Sequence, residues 1–61
     1  MSRRYTWAVG TVQFSLEHRS VGPVTYKIGR GAKLLHRVET TRDHAAQLLR
    51  SARKMGVEVR S

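Results

Sequence analysis

Apolar and polar residues alternate through the first two thirds of the chain. Tyr5, Trp7 and Val9 occupy odd positions, and Val12, Phe14 and Leu16 occupy even ones. Period-two alternation marks half-buried strands. Residues 5–17 therefore read as one long strand whose phase flips at Gly10. A one-residue slip sends every later side chain to the other face, so a bulge at Gly10 is expected. Val24, Tyr26 and Ile28 form the same pattern after a turn punctuated by Gly22-Pro23. Gly29-Arg30-Gly31 reads as a tight turn. Lys33–Val38 reads as a third strand, with Leu34, His36 and Val38 on one face and Lys33, Leu35 and Arg37 on the other.

The period then changes. Ala45, Leu48, Leu49, Ala52 and Met55 recur at helical spacing. Thr40 is the expected N-cap, with Asp43 three residues on. Gly56 sits where a helix ends in a left-handed residue, and Arg53 and Lys54 lie where the helix dipole favours cations. Val57-Glu58-Val59 reads as a short edge strand or as a tail packed on the sheet.

Short connections make the strands an antiparallel meander, and the helix must bury its single apolar stripe on one sheet face. The expected fold is α+β: a three-stranded antiparallel meander packed on one C-terminal helix, with Val57–Val59 as the candidate fourth strand. The chain reads as a single small basic domain over 1–61, with its ordered part at about 5–60. The core is expected from Val12, Phe14, Leu16, Val24, Tyr26, Ile28, Leu34, Val38, Ala45, Leu48, Leu49 and Ala52. Trp7 is expected to cap it. The other sheet face then presents Thr11, Gln13, Ser15, Thr25, Lys27, Lys33, Leu35 and Arg37.

Charge sharpens this picture. In 61 residues there are 12 Lys+Arg against 4 Asp+Glu, a net charge of +8. The basic residues are spread along the chain, and most are Arg, whose planar fork suits phosphates and base edges. Such a field draws polyanions. The chemistry it excludes is equally informative. With no cysteine there is no disulfide framework and no thiolate metal site. His18, His36 and His44 have no metal-ligand spacing, and the four acids are too scattered for a carboxylate pair. No nucleophile motif is present. Gly29-Arg30-Gly31 lacks the spacing of a nucleoside-triphosphate loop. No cofactor is expected, and the reading is of a non-enzyme. The apolar runs are too short to span a membrane, and no secretory signal is expected, which points to a cytoplasmic protein.

One stretch carries a family resemblance. Val38-Glu39-Thr40-Thr41-Arg42-Asp43-His44-Ala45-Ala46-Gln47-Leu48-Leu49 resembles the strand-to-helix junction of AP2/ERF DNA-binding domains. It is similar also to the small N-terminal domains of tyrosine-type phage and transposon integrases. The threonine cap and paired alanines match; Val38 stands where those families usually carry Phe, and the first strand lacks their Arg-x-Arg and Trp-Gly signatures. The resemblance implies that the sheet enters the DNA major groove. Carried over by position, Gln13, Thr25, Lys27, Lys33 and Arg37 would face the bases, and Arg3, Arg4 and Arg30 would hold phosphates.

The expected function is therefore non-catalytic nucleic-acid binding, with duplex DNA favoured over RNA. The alternative is a small regulatory or phage-encoded interaction factor that grips an acidic partner protein. A third is a small ribonuclease-type toxin using His36 beside Arg37. Val57–Val59 is also a candidate edge for a homodimer, which would help so small a core.

Overall fold

A computed structural model describes residues 3–61; Met1 and Ser2 lie outside the described residues. The chain forms β1 (Arg3–Val9), β2 (Val12–His18), β3 (Val24–Arg30), β4 (Lys33–Thr40) and α1 (Arg42–Lys54). The strands make one antiparallel sheet in the order β1-β2-β3-β4. The α+β meander with a C-terminal helix is as expected, but it has four strands before the helix.

The extra strand comes from Gly10. The phase flip there is a hairpin turn and not a bulge: Val9 pairs with Val12, and Gly10-Thr11 is the two-residue loop. Gly10 has φ +62°. Glycine with positive φ at the first central position is what a type II′ hairpin requires. Gly31-Ala32 repeats the device between Arg30 and Lys33, with φ +59° at Gly31. The second turn thus begins two residues later than the sequence suggested, and Gly29 and Arg30 end β3.

Cross-strand partners share a face. Register therefore places Tyr5, Leu16, Tyr26 and Val38 in one row, and Trp7, Phe14, Ile28 and His36 in the next. The helix covers this face. Trp7, Leu16 and Val24 from the sheet and Ala45 and Ala52 from the helix are buried, with Tyr5, Phe14, Tyr26, Leu48 and Leu49 packed around them. Alanine at both buried helix positions lets the helix approach closely. Trp7 stacks on Phe14 at 5.6 Å, and Phe14 on Tyr26 at 6.5 Å.

Four core expectations are corrected. Val12 and Ile28 are half-buried on the helix-side face and lie outside the core cluster. The register between β3 and β4 shifts at Ile28/Gly29: Ile28 pairs with His36 and Gly29 with Leu34, so Leu35 is the extra residue of a bulge. Leu34 consequently leaves the core and is 56% exposed. Val38 keeps the helix-side face but is 42% exposed, because the helix lies over the inner strands.

The helix cap is Thr41, one residue later than expected. Its side chain accepts the His44 backbone N–H at 3.1 Å, while the Thr40 hydroxyl pairs with His44 Nδ1 at 2.6 Å. At the far end the Gly56 N–H donates to the Arg53 carbonyl and the Val57 N–H to the Ala52 carbonyl. That pair of bonds is a Schellman motif, with Gly56 at φ +83°. It turns the chain back so that Arg60 and Thr6 exchange backbone hydrogen bonds. The C-terminal segment thus docks on the outer edge of β1, while Val57 and Val59 pack against the core.

Candidate nucleic-acid interface

The face opposite the helix is built in three rows. Register aligns Arg4, Glu17, Thr25 and Glu39, then Thr6, Ser15, Lys27 and Arg37, then Ala8, Gln13, Gly29 and Leu34. The first row is not purely basic. Glu17 and Glu39 flank Thr25, which is 2% exposed and presents no hydroxyl to a ligand. Lys27 Nζ reaches diagonally to Glu17 Oε1 at 2.8 Å. That bond holds the Glu17 carboxyl below the usual carboxylate range; burial opposes the shift, and the charges of Lys27, Arg4 and Arg19 reinforce it.

The middle and third rows open into a groove of about 700 Å³. Arg4, Gln13, Ser15, Lys27, Lys33 and Arg60 are among its lining residues. Its floor is low because Ala8 and Gly29 are small. At Gly29 the Lys33 carbonyl comes so close that an added Cβ would meet it at 3.1 Å. The bulge and the groove floor thus meet at one glycine.

The residues singled out from the sequence divide accordingly. Arg4, Gln13 and Lys27 come together along the groove, and Arg37 lies beside Lys27 in the same row. Lys33 borders the groove through its backbone carbonyl, but its pairing with Arg30 sets its side chain on the helix-side face, because the bulge at Leu35 reverses the alternation that would have placed it toward the bases. Arg3 and Arg30 do not join them. Arg3 shares the helix-side face, where Nη1 donates to the Tyr5 hydroxyl at 3.2 Å. Arg30 pairs with Val12, also on that side. His36, the toxin candidate, lies in the Trp7 row, away from the groove.

Arg60 was not legible as a site residue. It borders the groove only because the C-terminal segment returns to β1, and there its side chain lies 3.3 Å from Glu58. Ser15 was placed on the correct face by alternation alone. Apart from Lys27 and Arg60, the Lys and Arg side chains have no carboxylate within ion-pair distance among the described residues.

His18 lies at the opposite end of the sheet. Its ring meets Tyr5 edge-on at 5.5 Å, and its Nδ1 is buried without a hydrogen-bond partner. Burial lowers its pKa, and the charges of Arg42 and Arg3 add to the effect. Among the described residues no group of three metal-ligating side chains converges. No helix is long and apolar enough to cross a membrane.

No protein-family model matches the chain, and no curated protein or solved structure is significantly similar to it.

Proposed function

We propose that this chain binds nucleic acid without catalysis, duplex DNA in preference to RNA, through the sheet face opposite the helix. The observation that carries the proposal is the groove: an open concavity bordered by Arg4, Gln13, Ser15 and Lys27 on a +8 chain.

Dimensions refine it. The major groove is about 12 Å wide, and strands lie about 4.8 Å apart. Four strands span roughly 14 Å, slightly more than that width. The central pair, β2 and β3, therefore enters, bringing Gln13, Ser15 and Lys27 toward base edges. Arg4 on β1 and Arg37 on β4 stand at the walls, where phosphates lie. Glu17 and Glu39 repel phosphate at one end, so the contact is centred on the middle and third rows. Sheet-first docking is also what the AP2/ERF-like junction implies.

A second reading has its own support. Arg50, Arg53 and Lys54 are exposed on the helix, a cationic surface that DNA on the sheet face would not reach. It suits an acidic partner protein.

The test is a titration of the full chain with random duplex DNA, single-stranded DNA and RNA at two salt concentrations, followed by anisotropy. Duplex binding with a steep salt dependence is expected. Arg4→Glu should weaken it and lower the salt slope by about one. No binding even at low salt would overturn the proposal in favour of the protein partner.

A further inference from the structure

The sheet has two edges, and they are treated differently. The outer side of β1 is paired by Arg60, whose N–H and carbonyl both bond to Thr6. The outer side of β4 has no backbone partner among the described residues. Every residue of β4 except Thr40 is exposed. An uncovered strand edge is a template for another strand.

The usable part of that edge is defined. The bulge at Leu35 interrupts its start, but from His36 to Thr40 the register with β3 is regular. The middle residue of this five-residue stretch is Val38. Its side chain is among the exposed large apolar groups, at 42%. On either side of it stand Arg37 and Glu39, both exposed and neither in an ion pair among the described residues.

We propose that this chain forms a twofold homodimer in which β4 pairs antiparallel with β4 of a second copy, centred on Val38. The sequence around Val38 is self-complementary in that register. Val38 meets Val38 of the second copy on the helix side. Arg37 faces Glu39 of the second copy, and Glu39 faces its Arg37, on the groove side. His36 faces Thr40 in the same way. Opposite charges directly across antiparallel strands stabilise the pair, and like charges destabilise it. Other axes fail on the same grounds. Centring on Arg37 puts two guanidinium groups opposite each other, and centring on His36 runs the pairing into the bulge. The C-terminal segment is not the edge used, since Arg60 already pairs with Thr6. The dimer joins the two sheets into one of eight strands. It does not depend on nucleic-acid binding.

The experiment is sedimentation equilibrium of the full chain, without nucleic acid, over a wide concentration range at physiological salt. A species of twice the 7.0 kDa protomer mass is expected. Arg37→Glu alone and Glu39→Arg alone should each weaken association by about tenfold or more, and the double reversal should restore it. Circular dichroism of each variant separates lost pairing from lost fold. A chain that stays monomeric throughout overturns the proposal. So does a dimer indifferent to both single reversals, or a double reversal no better than either single one. A dimer broken by Val59→Lys and unmoved by Arg37→Glu would place the interface on the C-terminal segment instead.

Discussion

Arg60 and Thr6 exchange both of their backbone hydrogen bonds, at 2.8 and 2.9 Å, across 54 positions of sequence. This one bridge closes the outer edge of β1 and draws Val57 and Val59 onto the core. Arg60→Pro removes the N–H that bonds the Thr6 carbonyl. We expect a loss of about 1–3 kcal/mol, the cost of leaving a backbone acceptor unpaired. In a domain of this size about 1 kcal/mol corresponds to a fall in Tm of roughly 4–8 °C. Thermal melting checks it; an unchanged Tm would mean the bridge contributes nothing.

The helix cap separates two adjacent threonines. Thr41 accepts the His44 N–H, whereas Thr40 meets only the His44 ring. Thr41→Ala should therefore cost about 1 kcal/mol, typical for a lost N-cap, and Thr40→Ala less. Urea denaturation of both variants gives the order. The reverse order would return the cap to the position first read from the sequence. That misreading has a simple source. Both residues are threonine with a polar helix start after them, and only the backbone at Thr41, φ −78° and ψ 160°, decides which one caps.

Gly29 links the bulge to the groove. A larger residue there would press its Cβ on the Lys33 carbonyl, at 3.1 Å before any relaxation. Gly29→Val should cost about 1–3 kcal/mol through overpacking. It should also raise the groove floor and weaken DNA binding in the anisotropy titration. Retained affinity in a folded Gly29→Val variant would show that the ligand does not enter this concavity.

Acid should weaken the fold from two sites. The pKa of His18 is lowered below its ordinary 6.5, so the unfolded chain takes up the proton first as pH falls. Its contribution is complete above about pH 6.5 and is lost as pH falls through the lower folded value. The Glu17 carboxyl is also lowered, by its bond from Lys27, so its contribution is lost at still lower pH. His18→Phe should flatten Tm between pH 7 and 5 while leaving the lower, Glu17-dependent fall in place. Melting curves across that range check the sign: a wild-type chain that gains stability on acidification would contradict it.

The sequence by itself determined the alternation of β2 and β3, the break between them at Gly22-Pro23, the helix with its single apolar stripe and the excess of positive charge. These are local: a two-residue or 3.6-residue period is written in neighbouring side chains, and a Gly-Pro step interrupts a strand wherever it falls. Trp7 as a core residue was legible for the same reason. Whether Gly10 bulges one strand or joins two was not, because both restore the phase and only pairing of Val9 with Val12 distinguishes them. Tertiary structure alone moved Leu34 out of the core, since the bulge at Leu35 exists only in the register between β3 and β4. It also separated Arg3, Arg30 and Lys33 from Arg4 and Lys27, and buried Thr25 between two carboxylate-bearing strands. Charge counted along a chain has no face; strand register gives it one.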